Sequence, residues 1–152
     1  MTIFIINAVG WLILHMSIAA IATRLDARHF ARDNCLYRVH PFEIRFYRRI
    51  LRIRSWKHHL PDGALWVGGH LPKKDLRPSD PASMRQFVIE TRRGEAAHWL
   101  MLACFPIFFL WNPPWACLVI MAYAVLANLP CILVQRYNRE AAQRIGLHRD
   151  PP

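Results

Sequence analysis

Long apolar runs alternate with strongly polar stretches along this chain, and the first run lies near its amino terminus. Residues 1–23 contain no Asp, Glu, Lys or Arg, and His15 is the one titratable side chain of residues 3–22. A helix of this length spans roughly 30 Å, the hydrocarbon thickness of a membrane. We therefore predict a transmembrane helix over residues 3–22, with His15 as a packing residue. A cleaved signal peptide is the alternative, but it would begin with positive charge and have a shorter apolar core.

The second uncharged stretch is interrupted by a proline-rich turn. A short run over residues 96–111 is followed by Asn-Pro-Pro at residues 112–114 and then by a longer run over residues 115–135. Proline lacks a backbone donor and disfavours helical geometry in the residue before it. The pattern predicts a tight helical hairpin whose arms are the second and third transmembrane helices. A shallow hairpin that does not cross fully is the alternative interpretation.

Basic residues are distributed unevenly around these runs. Sixteen of the twenty Lys and Arg residues lie in the connector, residues 23–95, and the other four lie in the tail, residues 136–152. Cytoplasmic segments of membrane proteins carry such an excess of positive charge. We expect a single all-α domain in the cell membrane, with the amino terminus and the hairpin turn outside and the connector and tail in the cytoplasm.

The composition suits a membrane protein with polar connectors, since 54% of the residues are hydrophobic and the net charge is +10. A basic protein could bind nucleic acid, but no recognition motif accompanies the charge. Anionic lipid explains the charge instead, so we expect membrane lipids and no nucleic acid as partners. The four cysteines form no CxxC pair and match no zinc spacing. They therefore suggest neither a disulfide framework nor a metal cluster.

The connector combines a helical segment with a loop. Apolar side chains follow one another at helical spacing among arginines in its first half: Phe42, Phe46, Ile50 and Ile53. That pattern is typical of a helix lying in the headgroup plane. Prolines and glycines concentrate in residues 61–81, which predicts a loop. A helix should begin near residues 79–83 and continue into the second apolar run.

Charged and polar residues collect at the boundary between the connector and the second apolar run. Glu95 and His98 are three residues apart, so on a helix they share a face, and the carboxylate could orient the imidazole as a general base. The same spacing supplies half of a carboxylate metal centre, or a simple anchor for a helix end. Glu90 can pair with Arg93, and Arg92 with Glu95, which would neutralise charge at the membrane edge.

The third predicted helix carries a polar stripe. Asn128 and Gln135 are two helical turns apart, and Cys131 and Arg139 extend the same face. The segment QRYNRE, residues 135–140, brings two guanidiniums, a phenol and two amides to the depth of the charged boundary on the second helix. Two polar clusters on adjacent helices at one depth favour a functional site more than either cluster alone.

Three segments resemble the signatures of a known enzyme family: WKHHLPDG at residues 56–63, IETRRGEAAHW at residues 89–99 and ANLPCILVQRYNR at residues 127–139. Their order and spacing resemble those of the glycosyl-diaponeurosporenoate acyltransferases, which perform the last, acylating step of staphyloxanthin-type carotenoid synthesis. Gly94 stands where this family is expected to have alanine. The resemblance implies a membrane-bound acyltransferase that esterifies a sugar hydroxyl of a lipid-like glycoside with a fatty acyl group.

The resemblance also implies site residues, by match to its motifs. The candidates for catalysis are His98, Glu95, Glu90 and Arg93. The candidates for substrate binding are Trp56, Lys57, His58, Asp62, Asn128, Gln135, Arg136, Tyr137, Asn138 and Arg139. The implied partners are membrane lipids, a fatty acyl donor (acyl-CoA or acyl carrier protein) and a glycosylated lipid or carotenoid acceptor. We expect no cofactor and no metal.

The mechanism we favour is direct acyl transfer at the inner membrane face. His98, oriented by Glu95, would deprotonate the acceptor hydroxyl, while Arg136, Arg139 or Lys57 would stabilise negative charge or bind the donor's phosphates. No Ser or Cys lies in a recognisable nucleophile elbow, so an acyl-enzyme is not expected. One alternative is a metal-dependent lipid hydrolase or transferase that draws its ligands from Glu90, Glu95, His98 and His58. Another is a non-enzymatic lipid-binding scaffold.

Overall fold

The computed structural model describes residues 2–60 and 80–147, with side chains through residue 144. Every regular element in these ranges is helical. The elements are α1 (Thr2–Arg24), α2 (Arg28–Ala31), α3 (Pro41–Arg49), α4 (Ile53–Trp56), α5 (Pro81–Cys104) and α6 (Pro114–Leu147), with short 3-10 helices over Lys57–His59 and Phe105–Leu110. The predicted all-α architecture is confirmed.

Two helices of the described residues, α1 and α6, are long and apolar enough to cross a membrane. α1 contains the whole run predicted to span, residues 3–22. Most of its apolar side chains face outward, among them Phe4, Leu12 and Ile13. An apolar surface of this kind suits lipid contact, because lipid imposes no cost on exposed hydrocarbon.

α5 joins the charged connector to the apolar hairpin in one continuous helix. Its first turn is capped by Asp80, whose carboxylate accepts hydrogen bonds from the backbone of Ala82 and Ser83 at 3.0 and 3.1 Å. Pro81 occupies the first helical position, where its missing donor leaves no hydrogen bond unmade. The helix therefore begins within the region predicted from the sequence.

The second apolar run is not one α-helix over residues 96–111. α5 ends at Cys104, and the chain continues as the 3-10 helix Phe105–Leu110. Pro106 lies near the start of that segment, and proline both removes a backbone donor and clashes with the preceding helical turn. The α-helical part of this arm is accordingly short.

α6 is longer than the third predicted helix. It begins at Pro114, directly after the predicted turn, but it continues beyond residue 135 to Leu147, with Pro130 inside it. The sequence predicts that the membrane-spanning helix ends at residue 135, because charge begins at residue 136. In the structure Arg139 is buried against the connector, so the same helix continues as a packed element.

Amide side chains join the beginning of α1 to the hairpin turn. Asn7 and Asn112 exchange two hydrogen bonds of 2.8 and 2.9 Å. Trp111 Nε1 donates a third, of 2.8 Å, to Asn7 Oδ1. The first turns of α1 and the hairpin turn therefore lie at the same end of the bundle, an arrangement that the predicted topology requires.

A small apolar core lies next to these amides. The ring of Trp11 stacks on Phe108 with centroids 4.9 Å apart, and Ile120 and Ala124 of α6 complete the cluster. His15, one helical turn after Trp11, is bonded through Nδ1 to the Trp11 carbonyl at 2.9 Å. These contacts agree with a packing role for His15.

The short helix α3 packs against α6 near the other end of the bundle. His40 and Glu43 form a capping box at its start. Three of the apolar side chains predicted to face the membrane surface are exposed: Phe42, Phe46 and Ile50. Ile53 departs from the predicted stripe. It belongs to α4, follows a left-handed Arg52 with φ 47° and is fully buried.

Candidate active site

Glu95 of α5 is completely buried and contacts two arginines of α6. Its Oε1 lies 2.7 Å from Arg136 Nη1, and its Oε2 lies 2.6 Å from Arg139 Nη2. Charges removed from water are stable only when they are closely paired. Glu43 of α3 reaches Arg136 from the opposite side. We call these four residues (Glu43, Glu95, Arg136 and Arg139) the carboxylate–arginine cluster.

Arg136 connects the helical hairpin to the connector. Its Nη1 donates to the carbonyl of Leu36 at 2.8 Å and to Glu95, and its Nη2 donates to the carbonyl of Arg38 at 2.8 Å and to Glu43. Its Nε donates to Glu43 Oε2 at 3.1 Å. A guanidinium has five N–H groups, and all those of Arg136 have acceptors within the protein.

Glu43 and Tyr47 complete the surroundings of Arg136 on α3. Burial tends to raise the pKa of Glu43, but hydrogen bonds from the Tyr47 hydroxyl, the His40 backbone and Arg136 outweigh it, so the pKa lies below its usual value. Burial, together with the hydrogen bond to Glu43, raises the pKa of Tyr47 to about 12. Glu43 is therefore ionised and Tyr47 is neutral at physiological pH.

Two guanidiniums lie close to the ring of Tyr37. Arg139 and Arg92 lie over its ring at 5.7 and 5.9 Å from the centroid, and Arg139 Nη2 donates to the Tyr37 carbonyl at 2.7 Å. Arg92 also donates to two backbone carbonyls of the α2 segment and forms an ion pair with Asp33. Burial and the nearby Glu95 carboxylate raise the pKa of Tyr37, despite the two guanidiniums. Arg92 and Arg139 thus hold the connector against α5 and α6.

Arg93 joins α5 to the end of α1. Its Nη1 donates to the carbonyls of Ala22, Thr23 and Leu25 at 2.7, 3.0 and 2.9 Å. These carbonyls belong to the last helical turn and the residue after it, where backbone acceptors lack helical partners. Glu90 Oε2 lies 3.3 Å from Arg93 Nε, which is the pairing predicted from their spacing. Arg93 therefore joins two helices, and Glu90 is the carboxylate paired with it on α5.

His98 of α5 is paired with Asn128 of α6. Its Nδ1 lies 2.9 Å from Asn128 Oδ1, and Asn128 Nδ2 donates to the carbonyl of Ala124 at 2.9 Å. The amide oxygen can only accept, so His98 Nδ1 carries the proton and Nε2 holds the lone pair. An imidazole in this tautomer has a free basic nitrogen. We call these two residues the histidine–amide pair.

The partner of His98 differs from the one that we predicted. Glu95 was expected to orient the imidazole, but the described residues show no hydrogen bond between them. Glu95 contacts Arg136, Arg139 and, at 3.3 Å, Trp99 Nε1. Two guanidiniums attract a buried carboxylate more strongly than a neutral imidazole does. Asn128, assigned to substrate binding from the sequence, takes the orienting position.

The remaining candidates lie around the carboxylate–arginine cluster. Lys57 Nζ donates to Asn138 Oδ1 at 2.7 Å and lies 5.1 Å from the centroid of the Tyr137 ring. Trp56 Nε1 donates to the Leu51 carbonyl at 2.8 Å. Two further candidates stand apart: His58 is exposed beside His59, and Asp62 falls outside the described residues.

Three residues of the connector were missed by sequence reasoning: Tyr37, Glu43 and Tyr47. Local spacing could have identified the last two. Glu43 lies three residues after His40, as in a capping box, and four residues before Tyr47, so that the two side chains share a helix face. Nothing local identifies Tyr37, whose contacts are made with residues far along the chain. Among residues 2–60 and 80–147, no three His, Cys, Asp or Glu side chains converge as metal ligands would.

The fold and these groups define a small all-helical protein with two helices apolar enough to cross a membrane and a polar site between α5 and α6. Residues 33–146 match the family model described as glycosyl-4,4'-diaponeurosporenoate acyltransferase. Proteins of that name from Staphylococcus aureus strains bovine RF122 / ET3-1 and USA300 are each 30% identical over 131 residues, which cover 85% of this chain and 79% of theirs. The chain belongs to the glycosyl-4,4'-diaponeurosporenoate acyltransferase family and is an acyltransferase. No solved structure matches it.

Proposed function

We propose that this enzyme transfers a fatty acyl group to a sugar hydroxyl of a glycosylated, carotenoid-type lipid, with His98 as the general base. The observation that carries the proposal is the hydrogen bond between His98 Nδ1 and Asn128 Oδ1, 2.9 Å long. It leaves Nε2 as the basic nitrogen, and the ring belongs to a helix that enters the apolar hairpin. The named relatives are acyltransferases of a glycosylated carotenoid acid, which supports the choice of acceptor.

In the proposed reaction, one proton moves from the acceptor hydroxyl through His98 to the leaving group. The acceptor hydroxyl gives its proton to His98 Nε2 while its oxygen attacks the acyl carbonyl carbon of a thioester donor. The tetrahedral intermediate collapses, the bond between carbon and sulfur breaks, and the leaving thiolate takes the proton from His98. Asn128 keeps Nδ1 protonated throughout, which holds the ring in one tautomer and one orientation.

The carboxylate–arginine cluster has a positioning role in this scheme. All N–H groups of Arg136 already have acceptors, and Arg139 is 1% exposed. Arg136 could not bind donor phosphates without losing contacts that hold the connector, and burial keeps Arg139 away from a donor in solution. Lys57 is half-buried, lies beside Asn138 and Tyr137, and is the cation that we assign to an anionic donor such as acyl-CoA or acyl carrier protein.

We place the site at the cytoplasmic side of the cell membrane. The contact between Asn7 and Asn112 supports an amino terminus and a hairpin turn on one side. The arginine-rich connector and the last part of α6 meet at the other end of the bundle, and positive charge favours the cytoplasm. Thioester donors in the cytoplasm and a lipid acceptor in the bilayer could then meet at His98.

Mass spectrometry of lipid extracts tests the reaction. Cells that make the glycosylated carotenoid acceptor should contain an additional species, heavier by one fatty acyl group, only when the enzyme is present. The purified enzyme should form the same species from the acceptor and an acyl thioester. If the glycoside is unchanged in both experiments, the proposed acceptor is wrong.

A further inference from the structure

Gly94 lies inside α5, one helical turn before His98, where its missing side chain leaves space for Gln135. A Cβ atom built at Gly94 would lie 2.8 Å from Gln135 Nε2 and 3.1 Å from Gln135 Cδ. Real Cβ atoms essentially never approach another heavy atom as closely as 2.8 Å. The amide of Gln135 therefore packs directly against the backbone of α5.

Glycine is an unfavourable residue at this position of a helix, since it loses more backbone freedom on folding than any other residue. It stands within the 24 residues of α5, far from either end. Where no turn requires a glycine inside a helix, its usual role is to let another part of the protein pack closely against the helix backbone. Here the close approach is that of the Gln135 amide from α6.

The two amides on the polar face of α6 are used differently. Asn128 is buried, and both its oxygen and its nitrogen have partners in His98 and Ala124. Gln135 is partly exposed, and no residue in the part of the chain that the structure describes hydrogen-bonds to its side chain. Its donor and its acceptor are both available, and a sugar hydroxyl needs both.

The position of Gln135 relative to the base follows from the helix geometry. Gly94 and His98 are four residues apart, so they share a face of α5, and each contacts α6. One turn of helix advances about 5.4 Å. The Gln135 amide is thus about one turn from the imidazole, toward the carboxylate–arginine cluster.

We infer that Gly94, at a position where the family is expected to have alanine, is a positioning residue particular to this chain: its bare backbone fixes the Gln135 amide near His98 so that the amide holds the acceptor sugar in reach of the base. The inference rests on the proposed function. A methyl group at residue 94 would force the end of the Gln135 side chain aside, and the fold would adapt because that side chain is flexible. Gly94→Ala should therefore change acceptor binding more than it changes folding.

The test is a double-mutant cycle on the purified full-length enzyme. Kinetic constants for the glycosylated acceptor and for the acyl donor would be measured for wild type, Gly94→Ala, Gln135→Ala and the double variant. Gly94→Ala should lower kcat/KM for the acceptor by between about twofold and tenfold, as expected for one neutral hydrogen bond. The KM for the donor should stay unchanged. In the Gln135→Ala background, the added Gly94→Ala change should have no further effect.

Gly10→Ala is the matched control. A Cβ atom there would lie 3.0 Å from the Phe108 ring, a tight contact between α1 and the 3-10 segment that does not involve Gln135. This variant should keep the wild-type KM for the acceptor. Should Gly94→Ala fail to fold, Gln135→Ala decides alone: an unchanged acceptor KM would overturn the inference.

Two outcomes separate this inference from the proposed function. If the wild type is active and Gly94→Ala matches it, the role of Gly94 is contradicted but the proposed function is not. The same holds if Gly94→Ala lowers activity as much in the Gln135→Ala background as in the wild type. A wild type that acylates no glycoside would overturn the acceptor assignment and the inference together.

Discussion

Arg139 Nη2 lies 2.6 Å from Glu95 Oε2, and the two side chains are 1% and 0% exposed. This ion pair joins α5 to α6, while the second arginine on Glu95, Arg136, extends the contact to α3. The charged residues that precede the apolar hairpin in the sequence are therefore buried in ion pairs, and these ion pairs hold the elements around the site together. It brings the connector, the α5–α6 pair and His98 into one arrangement.

Glu95→Gln should destabilise the protein severely, because the change leaves two buried guanidiniums without their shared charge. Breaking a buried pair costs about 3–5 kcal/mol. The measurement is thermal or denaturant unfolding of the purified protein in detergent. Glu90→Gln is the matched control, because Glu90 is partly exposed and its pair with Arg93 should contribute less than about 1 kcal/mol. A stable Glu95→Gln protein that had lost only turnover would instead assign Glu95 to the chemistry.

Asn128→Ala should lower acyl transfer by on the order of tenfold to a hundredfold, a smaller loss than removal of the base itself. Without the amide oxygen, His98 is free to rotate and to adopt the other tautomer. Asn112→Ala, which removes an amide at the far end of the same hairpin, is the control. It should reduce stability while the folded fraction keeps its kcat. Equal kcat values for the two variants would separate Asn128 from catalysis.

Tyr47→Phe should change the pH dependence of stability in alkali. The folded pKa of Tyr47 is raised from 10.0 to about 12 by burial and by Glu43. A raised pKa contributes stability that is present below the unfolded pKa and is lost as pH rises through the folded value. Unfolding midpoints of the wild type should therefore fall between pH 10 and about 12, and those of Tyr47→Phe should fall less steeply. Parallel curves would show that the phenol is not buried as described.

Glu43→Gln should change how the stability of the protein depends on pH in acid. The folded pKa of Glu43 is lowered because hydrogen bonds to its carboxylate outweigh burial. Its contribution is present above the unfolded pKa and is lost as pH falls through the folded one. The wild type should thus lose stability below about pH 4.3, the ordinary value for a glutamate, and Glu43→Gln should lose less over that range. Identical acid profiles would contradict the contact between Glu43 and Arg136.

Labelling with a membrane-impermeant thiol reagent tests the orientation. Cys35 is exposed in the connector, so in intact cells it should react only after permeabilisation. In a variant whose other cysteines are replaced by serine, Pro113→Cys at the exposed turn should react in intact cells. The opposite pattern would place the connector outside and separate the site from cytoplasmic thioesters.

The elements of the fold were predictable where one local cause decides them. The length of the first apolar run determines α1, the prolines after residue 112 determine the hairpin turn, and Asp80 with Pro81 determines the start of α5. The end of α6 was not predictable, because its arginines are buried by a connector whose position depends on tertiary contacts. The shortening of the second apolar run was also not predicted: near Pro106 the α-helix gives way to a 3-10 helix, and the first arm of the hairpin continues to Leu110.

Spacing on α5 and α6 pointed to the helical residues of the carboxylate–arginine cluster and of the histidine–amide pair, but it missed Glu43 and it did not predict which residues pair. Spacing places Glu95 and His98 on one face of α5, but it does not say which residue of α6 each one meets. Arg136 is 41 positions from Glu95, and Asn128 is 30 positions from His98. Partners at such separations are chosen by helix packing and by the cost of leaving a buried charge unpaired, neither of which a local pattern contains.

The rate of acyl transfer by purified His98→Ala, compared with wild type, tests the central claim most directly. Both proteins would be assayed with the glycosylated acceptor and an acyl thioester, after matching unfolding midpoints have shown that both are folded. We expect the variant to be slower by roughly 10²–10⁴-fold, the usual contribution of a general base. Turnover at the wild-type rate would contradict the account, because His98 could not then be the group that removes the hydroxyl proton.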